Sequence, residues 1–141
     1  MNGFNGSSIK IIQALSPGSI GSTTPGSTGP SNFAGFEWAT VIVSIGCAIS
    51  ATANRLAVDV ERSSTSNGTF GKAGASFLAI SAGSQCFVRS FALNSSANWH
   101  RVTYDTNGGG SCNFDVLVIL SRARVMPVDQ DSRTTVYSDV I

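Results

Sequence analysis

The residues of this sequence whose side chains could perform chemistry are few and lie far apart. His100 is the single histidine, and no Gly-x-Ser-x-Gly segment is present to hold a serine nucleophile on a sharp turn. Nucleophilic catalysis requires a nucleophile beside a base that a third group orients. Because His100 lies between Trp99 and Arg101 in a strand-like run, it is more typical of a surface or interface residue than of a catalytic base.

Two carboxylates and one glycine-rich segment are the remaining candidates for a reactive site. Asp59 and Glu61 share a face of a predicted strand, and paired carboxylates are what glycoside hydrolysis uses. They lie with Arg55 on an outward row, however, where charges are usually solvated. The glycine-rich segment 107–111 has no Lys-Ser/Thr after it, so it is typical of a hairpin turn and not of a phosphate-binding loop. We therefore expect that the protein is not an enzyme.

The three cysteines, Cys47, Cys86 and Cys112, have no spacing typical of a zinc or redox site. No calcium-binding loop of the Asp-x-Asp type is present either, so the sequence predicts no metal and no cofactor. We interpret the thiols as small, buried apolar side chains of a reduced protein. A Cys86–Cys112 disulfide between neighbouring strands is the alternative.

Three aromatic side chains, Trp38, Trp99 and Tyr104, could form a platform for a sugar, because aromatic faces bind apolar ring surfaces. Such a platform would make the protein a carbohydrate-binding or adhesin module. The other interpretation, which the sequence favours, is that the three rings pack inside the fold or at a contact between subunits.

The composition limits the partners of the chain. Of its 141 residues only 12% are charged, and nine Lys and Arg against eight Asp and Glu give a formal net charge of +1. This charge is too small to hold nucleic acid or an anionic membrane surface, and no apolar stretch reaches the ~20 residues of a membrane helix. We expect no nucleic-acid partner, no membrane partner, no secretion signal in residues 1–15, and a tendency to self-associate.

The chain divides into an extended Gly/Ser/Pro-rich N-terminal arm (1–32), a folded body (33–127) and a polar C-terminal tail (128–141). Within the arm, residues 9–15 are rich in β-branched side chains and predict a short strand that docks on its own sheet or on a neighbouring molecule. A single amphipathic helical turn is the alternative. Residues 16–30 are rich in Pro and Gly and have too little apolar surface to offset the entropy of ordering them alone.

The body alternates apolar and polar residues almost everywhere, which is typical of strands with one buried face. Turn residues such as Ser-Asn-Gly at 66–68 separate the runs. The sequence predicts an all-β fold, a single β-sandwich or jelly-roll-like domain, in which residues 99–120 form one hairpin that turns at 107–110. The predicted inward rows are Val41, Val43, Ile45 and Cys47; Leu56, Val58 and Val60; Val102 and Tyr104; and Phe114, Val116, Val118 and Leu120.

Four segments of the chain resemble the head-decoration (cement) proteins of tailed bacteriophages. Residues 9–17 (IKIIQALSP) are similar to the family's N-terminal arm, in which a short apolar segment precedes a Pro/Ser break. Residues 36–46 (FEWATVIVSIG) resemble its first body strand. Residues 56–70 are similar to a strand that leads into an Asn-Gly-Thr-Phe turn, and residues 116–128 (VLVILSRARVMPV) resemble its closing strand, which ends in Arg-x-Arg-x-x-Pro-Val.

The resemblance implies a function as well as a fold. It implies a structural virion protein that binds the outer surface of an assembled phage capsid, stabilises the shell and is made in the cytoplasm of the bacterial host. The implied partners are the major capsid protein and further copies of the chain, in a homotrimer. For Arg122 and Arg124 we expect pairing with carboxylates of the shell or of a sister subunit, with solvated strand-end charges as the alternative. The other expected contact residues are Ile9, Ile11, Ile12 and Leu15.

Overall fold

The computed structural model of the chain describes residues 9–21, 25–46, 56–79, 85–105 and 111–123. All regular secondary structure in these ranges is β-structure, so they contain no helix long and apolar enough to cross a membrane. The strands are β1 (Lys10–Gly21), β2 (Gly26–Ser27), β3 (Ser31–Asn32), β4 (Trp38–Ile45), β5 (Leu56–Ser63), β6 (Gly71–Ala79), β7 (Gln85–Ala92), β8 (Trp99–Asp105) and β9 (Ser111–Ser121).

These strands form two antiparallel sheets that pack face to face. The first sheet has the order β1-β9-β4-β7, and the second has the order β2-β8-β5-β6, with the short β3 also paired to β8. A four-stranded and a five-stranded sheet between which the chain passes repeatedly give a jelly-roll-like arrangement. The prediction of an all-β, single β-sandwich or jelly-roll-like domain is therefore confirmed.

The core lies between the two sheets because alternate residues of each strand point inward. Burial alternates along β4, β5 and β9 as the sequence predicts, and each fully buried side chain contributes about 1.5–3 kcal/mol. Cys47, the last member of one predicted row, lies outside the described residues. The buried apolar side chains are Ile12, Phe33, Phe36, Ala39, Val41, Val43, Ile45, Leu56, Val58, Val60, Val102, Phe114, Val116, Val118 and Leu120.

The N-terminal segment contributes strands to both sheets. β1 pairs antiparallel with β9, from Lys10 opposite Leu120 to Gly21 opposite Ser111. It therefore docks on its own sheet, which is one of the two sites that the sequence left open, and the alternative of a helical turn is wrong. β2 and β3 follow along the edge of the second sheet. Strand pairing supplies partners for backbone groups, and so orders a segment that has little apolar surface of its own.

The strands on either side of residues 106–110 do not form the predicted hairpin. β8 belongs to the second sheet and β9 to the first, so these two strands do not pair with each other. The prediction is wrong because a period of two shows which residues face inward but not which sheet holds the strand. The turn predicted at 66–68 is confirmed: the Gly68 N–H donates to the Thr65 carbonyl oxygen at 3.3 Å, and β5 pairs with β6 around it.

Candidate functional site

The outward face of the first sheet carries an apolar surface. One row of neighbouring residues crosses all four strands, with Gln13 beside Leu117, Leu117 beside Ile42, and Ile42 beside Val88. When only one face of an antiparallel sheet is buried, the other face is normally polar. The outward apolar side chains, which we call the apolar face, are Ile11, Trp38, Ile42, Val88, Leu117 and Ile119.

The apolar face is most exposed at the edge strand β7 and at the start of β4. Val88 is 62% exposed and Trp38 is 37% exposed, whereas Ile42 is half-buried by its neighbours. The hydroxyls of Thr40 and Ser90, which lie between these apolar rows, bond to each other at an Oγ1–Oγ distance of 2.8 Å. An outward apolar surface with exposed positions such as Val88 and Trp38 is typical of a contact surface for another macromolecule.

Arg122 lies at one end of the apolar face. Its backbone has a φ of 55°, a left-handed conformation that non-glycine residues seldom adopt, directly after the end of β9. The guanidinium carbon lies 5.8 Å from the centre of the Trp38 ring, within the range of a cation–π contact. Arg122 is exposed there, and its donors can reach a carboxylate on a partner. Arg124 and the tail 128–141 lie outside the described residues.

The other residues predicted to contact a partner are divided between the surface and the core. Ile11 lies on the apolar face, beside Ile119. Ile12 points the other way and is 2% exposed, so its side chain packs in the core of its own chain. Ile9 and Leu15 are half-buried, and Leu15 packs against the core.

Most of the apolar face was not predicted from the sequence, although the sequence contains a signal for it. Residues 41–43 (Val-Ile-Val) and 116–120 (Val-Leu-Val-Ile-Leu) are apolar at every position. Such runs are typical of strands that are covered on both sides. The core covers one side of β4 and β9, and no described residue of the chain covers the other side.

A polar groove lies on the outward face of the second sheet, and therefore on the opposite side of the sandwich from the apolar face. It has a volume of about 390 Å³ and lies over β5 and β8, with residues 25–27 along one side. Nε of Arg101 donates to Oε2 of Glu61 at 2.8 Å, and Nη2 of Arg101 lies 2.7 Å from the same oxygen in an ion pair. Nζ of Lys72 lies 3.1 Å from Oδ2 of Asp59.

The two ion pairs hold the groove's charged side chains in place. The side chains of Glu61 and Asp59 are 19% and 24% exposed, so both carboxylates are partly shielded from water. The guanidinium of Arg101 also lies 4.5 Å from the centre of the Phe70 ring. The outward direction predicted for the two carboxylates is confirmed, but each is paired with a cation on a neighbouring strand and not simply solvated.

His100 is buried and not at the surface, so that interpretation of the sequence is wrong. It is 3% exposed, its ring stacks on Phe33 with centroids 4.4 Å apart, and Nδ1 lies 3.3 Å from the carbonyl oxygen of Asn98. Desolvation lowers the pKa of His100 below its ordinary value of 6.5; the Asn98 hydrogen bond opposes this effect and the positive charge of Arg62 adds to it. His100 lies on the inward side of β8, and it therefore occupies a position in the core.

The state of Cys86 differs from the sequence interpretation. Cys86 is exposed and free, so the expected buried thiol is wrong at this position and the alternative disulfide to Cys112 is not formed. In the part of the chain that the structure describes, no group of three His, Cys, Asp or Glu side chains could hold a metal ion.

The three aromatic residues considered as a sugar platform do not lie together. Trp38 belongs to the apolar face of the first sheet, whereas Trp99 is half-buried on β8 of the second sheet. The ring of Tyr104 packs edge-on against Phe114, with centroids 5.4 Å apart. Tyr104 therefore packs within the fold, as the favoured interpretation of the sequence predicts. The alternative prediction of a sugar platform made of three rings is wrong.

No protein-family model and no curated protein sequence matches the chain, but solved structures share its fold. A chain in the structure of infectious bursal disease virus, Gx strain, superposes with a TM-score of 0.58 at 8% identity, over 81% of this chain and 32% of that one. The PBSX exported protein XepA gives 0.55 at 17% identity, over 96% and 44%. Dimeric latent PorU from Porphyromonas gingivalis gives 0.51 at 16% identity, over 82% and 13%.

At these identities the similarities show the fold alone. They agree with the β-sandwich described above and extend over most of this chain. The chain spans 44% or less of the length of these three similar proteins.

Proposed function

We propose that the chain is a structural virion protein, a decoration protein that binds the outer surface of a tailed-phage capsid and stabilises the shell without catalysing a reaction. The main observation behind the proposal is the apolar face. Its outward apolar side chains are typical of a surface that contacts another protein. The resemblance of four segments to cement proteins supports the same function. The fold shared with a chain in a virus structure and with a PBSX exported protein is compatible with it.

The proposed mechanism is selective binding to the assembled shell. A protein that binds the lattice but not the dispersed subunits stabilises the lattice by mass action. The apolar face buries against the major capsid protein, and Arg122 at its end pairs with a carboxylate there. Copies linked in a homotrimer engage neighbouring sites together, which raises the effective concentration of each contact.

The experiment that tests the proposal places a charge on the apolar face. Val88→Asp should fold normally because Val88 is 62% exposed, but it should bind capsids at least tenfold more weakly, since docking would bury an unpaired carboxylate. The measurement is co-sedimentation of the full chain with particles of the parent phage that were assembled without it.

The matched control adds the same charge elsewhere. Ser64→Asp lies in the exposed turn after β5 of the second sheet, and it should bind as the unchanged chain does. If Val88→Asp decorates particles as fully as Ser64→Asp, the apolar face is not the capsid contact.

A further inference from the structure

We infer that the polar groove of the second sheet is a binding site for a neutral mono- or disaccharide. The inference is independent of the proposed function, because the groove and the apolar face lie on opposite sides of the sandwich. The volume of about 390 Å³ lies within the range of small-ligand sites. The groups that line the groove include both donors and acceptors, and they belong to Asp59, Glu61, Arg101, Thr103 and Asp105.

The central pair of the groove is suited to a vicinal diol. The hydrogen bond and the ion-pair contact from Arg101 both go to Oε2 of Glu61. The contacts described for this pair use Oε2 of Glu61 and Nε and Nη2 of Arg101, and we assign Oε1 and Nη1 to the ligand. In the proposed complex one sugar hydroxyl donates to Oε1 and a neighbouring hydroxyl accepts from Nη1.

The site is fixed before any ligand binds. Arg101 is held by a hydrogen bond and an ion pair with Glu61 and by the ring of Phe70 at 4.5 Å. Asp59 forms an ion pair with Lys72 at 3.1 Å, a weaker restraint because the Lys72 side chain is 70% exposed. Binding to groups that are already positioned costs less conformational entropy, so a small ligand with few contacts can still bind.

The charges of the groove favour a neutral ligand over an ion. Asp59 and Glu61 are each matched by a cation, so the two pairs together carry no net charge. A phosphate would meet these carboxylates and that of Asp105 along the same groove. A divalent cation would lack ligands, since no described group of three acidic, His or Cys side chains could hold a metal ion. Pro25 and Ala57 add apolar surface for the C–H face of a sugar ring.

The test is an NMR titration of the isotope-labelled full chain with glucose, galactose, mannose, N-acetylglucosamine, cellobiose and lactose. At least one sugar should shift the amide signals of β5, β8 and residues 25–27, and these shifts should saturate. Glu61→Gln, which loses the carboxylate but keeps its shape, should raise the Kd at least tenfold. Ala57→Leu, which adds bulk to the lining of the groove and keeps all of its charged groups, should abolish binding even if Glu61→Gln proves unstable.

The controls separate this site from the apolar face and from ion binding. Arg122→Gln on the opposite side should leave the sugar Kd unchanged, and Glu61→Gln should still bind capsids. The inference is overturned if no sugar of the panel shifts the groove signals or if Ala57→Leu binds as the unchanged chain does. Saturable binding of inorganic phosphate or Ca²⁺ in the groove, with no sugar binding, would overturn it equally. None of these results alters the capsid-binding test at Val88.

Discussion

Among individual residues, His100 links the packing of the sandwich to pH. Its ring stacks on Phe33, and the pKa of His100 is lowered mainly by burial, with Arg62 adding to the effect. In the unfolded chain the imidazole regains its ordinary pKa of about 6.5. The unfolded state therefore binds the proton more tightly, and the stability that the neutral ring contributes is complete above pH 6.5 and is lost as pH falls below it.

We predict that the free energy of unfolding, measured by urea denaturation, is lower at pH 5 than at pH 7.5. Each unit by which folding lowers the pKa of His100 corresponds to about 1.4 kcal/mol of this difference. His100→Gln, which has no titrating ring, should be less stable at pH 7.5 but should show a much smaller difference between the two pH values. An equal pH dependence in both proteins would mean that other groups cause it.

At the scale of secondary-structure elements, the two faces of β1 have different roles. Ile12 is 2% exposed and belongs to the core, whereas Ile11 beside it lies on the apolar face. β1 also pairs with the edge of β9 that would otherwise be open. The strand thus stabilises the chain's own fold and contributes to the surface that we propose for docking.

The two neighbouring isoleucines of β1 should respond differently to the same substitution. Ile12→Ala should lower the free energy of unfolding of the isolated chain by about 2–5 kcal/mol, because it leaves a cavity in the core. Ile11→Ala should cost about 1 kcal/mol or less and should instead weaken capsid binding. Chemical denaturation and co-sedimentation of both variants measure the two effects. Equal losses of stability would show that the two faces of β1 are not divided in this way.

The alternation of side chains made the inward rows of β4, β5 and β9 predictable, and with them the fold class. The pairing of strands was not predictable, because a period of two is the same in either sheet; the hairpin expected around residues 106–110 was wrong for this reason. The Glu61–Arg101 pair joins residues forty positions apart in sequence, so it depends on strand register. His100 was misjudged because a polar residue at an inward position is buried with its strand, whatever its own preference.

At the scale of the whole molecule, the two outer faces of the sandwich differ in chemistry. The first sheet presents the apolar face, with Arg122 at one end and Asp115 among its polar neighbours, and the second presents paired charges around a groove. A sandwich docked through its first sheet therefore turns its groove away from the shell. The proposed capsid contact and the inferred sugar site can then be occupied at the same time.

The low charge of the chain leads to a prediction about its assembly. With 12% charged residues and a formal net charge of +1, charge repulsion between copies is weak. Light scattering at micromolar concentration should give three times the 14.6 kDa of one chain. Val88→Asp should give the same mass if the apolar face contacts the shell and not a sister subunit. A monomer would contradict the homotrimer.

The central claim, that the apolar face attaches this chain to a capsid, is tested most directly by electron cryo-microscopy of parent phage particles with and without the chain. We predict additional density at repeated positions on the outer surface, fitted by the sandwich with β9, β4 and β7 toward the shell and the polar groove away from it. Particles of identical density, or a bound sandwich with its second sheet against the shell, would contradict the claim.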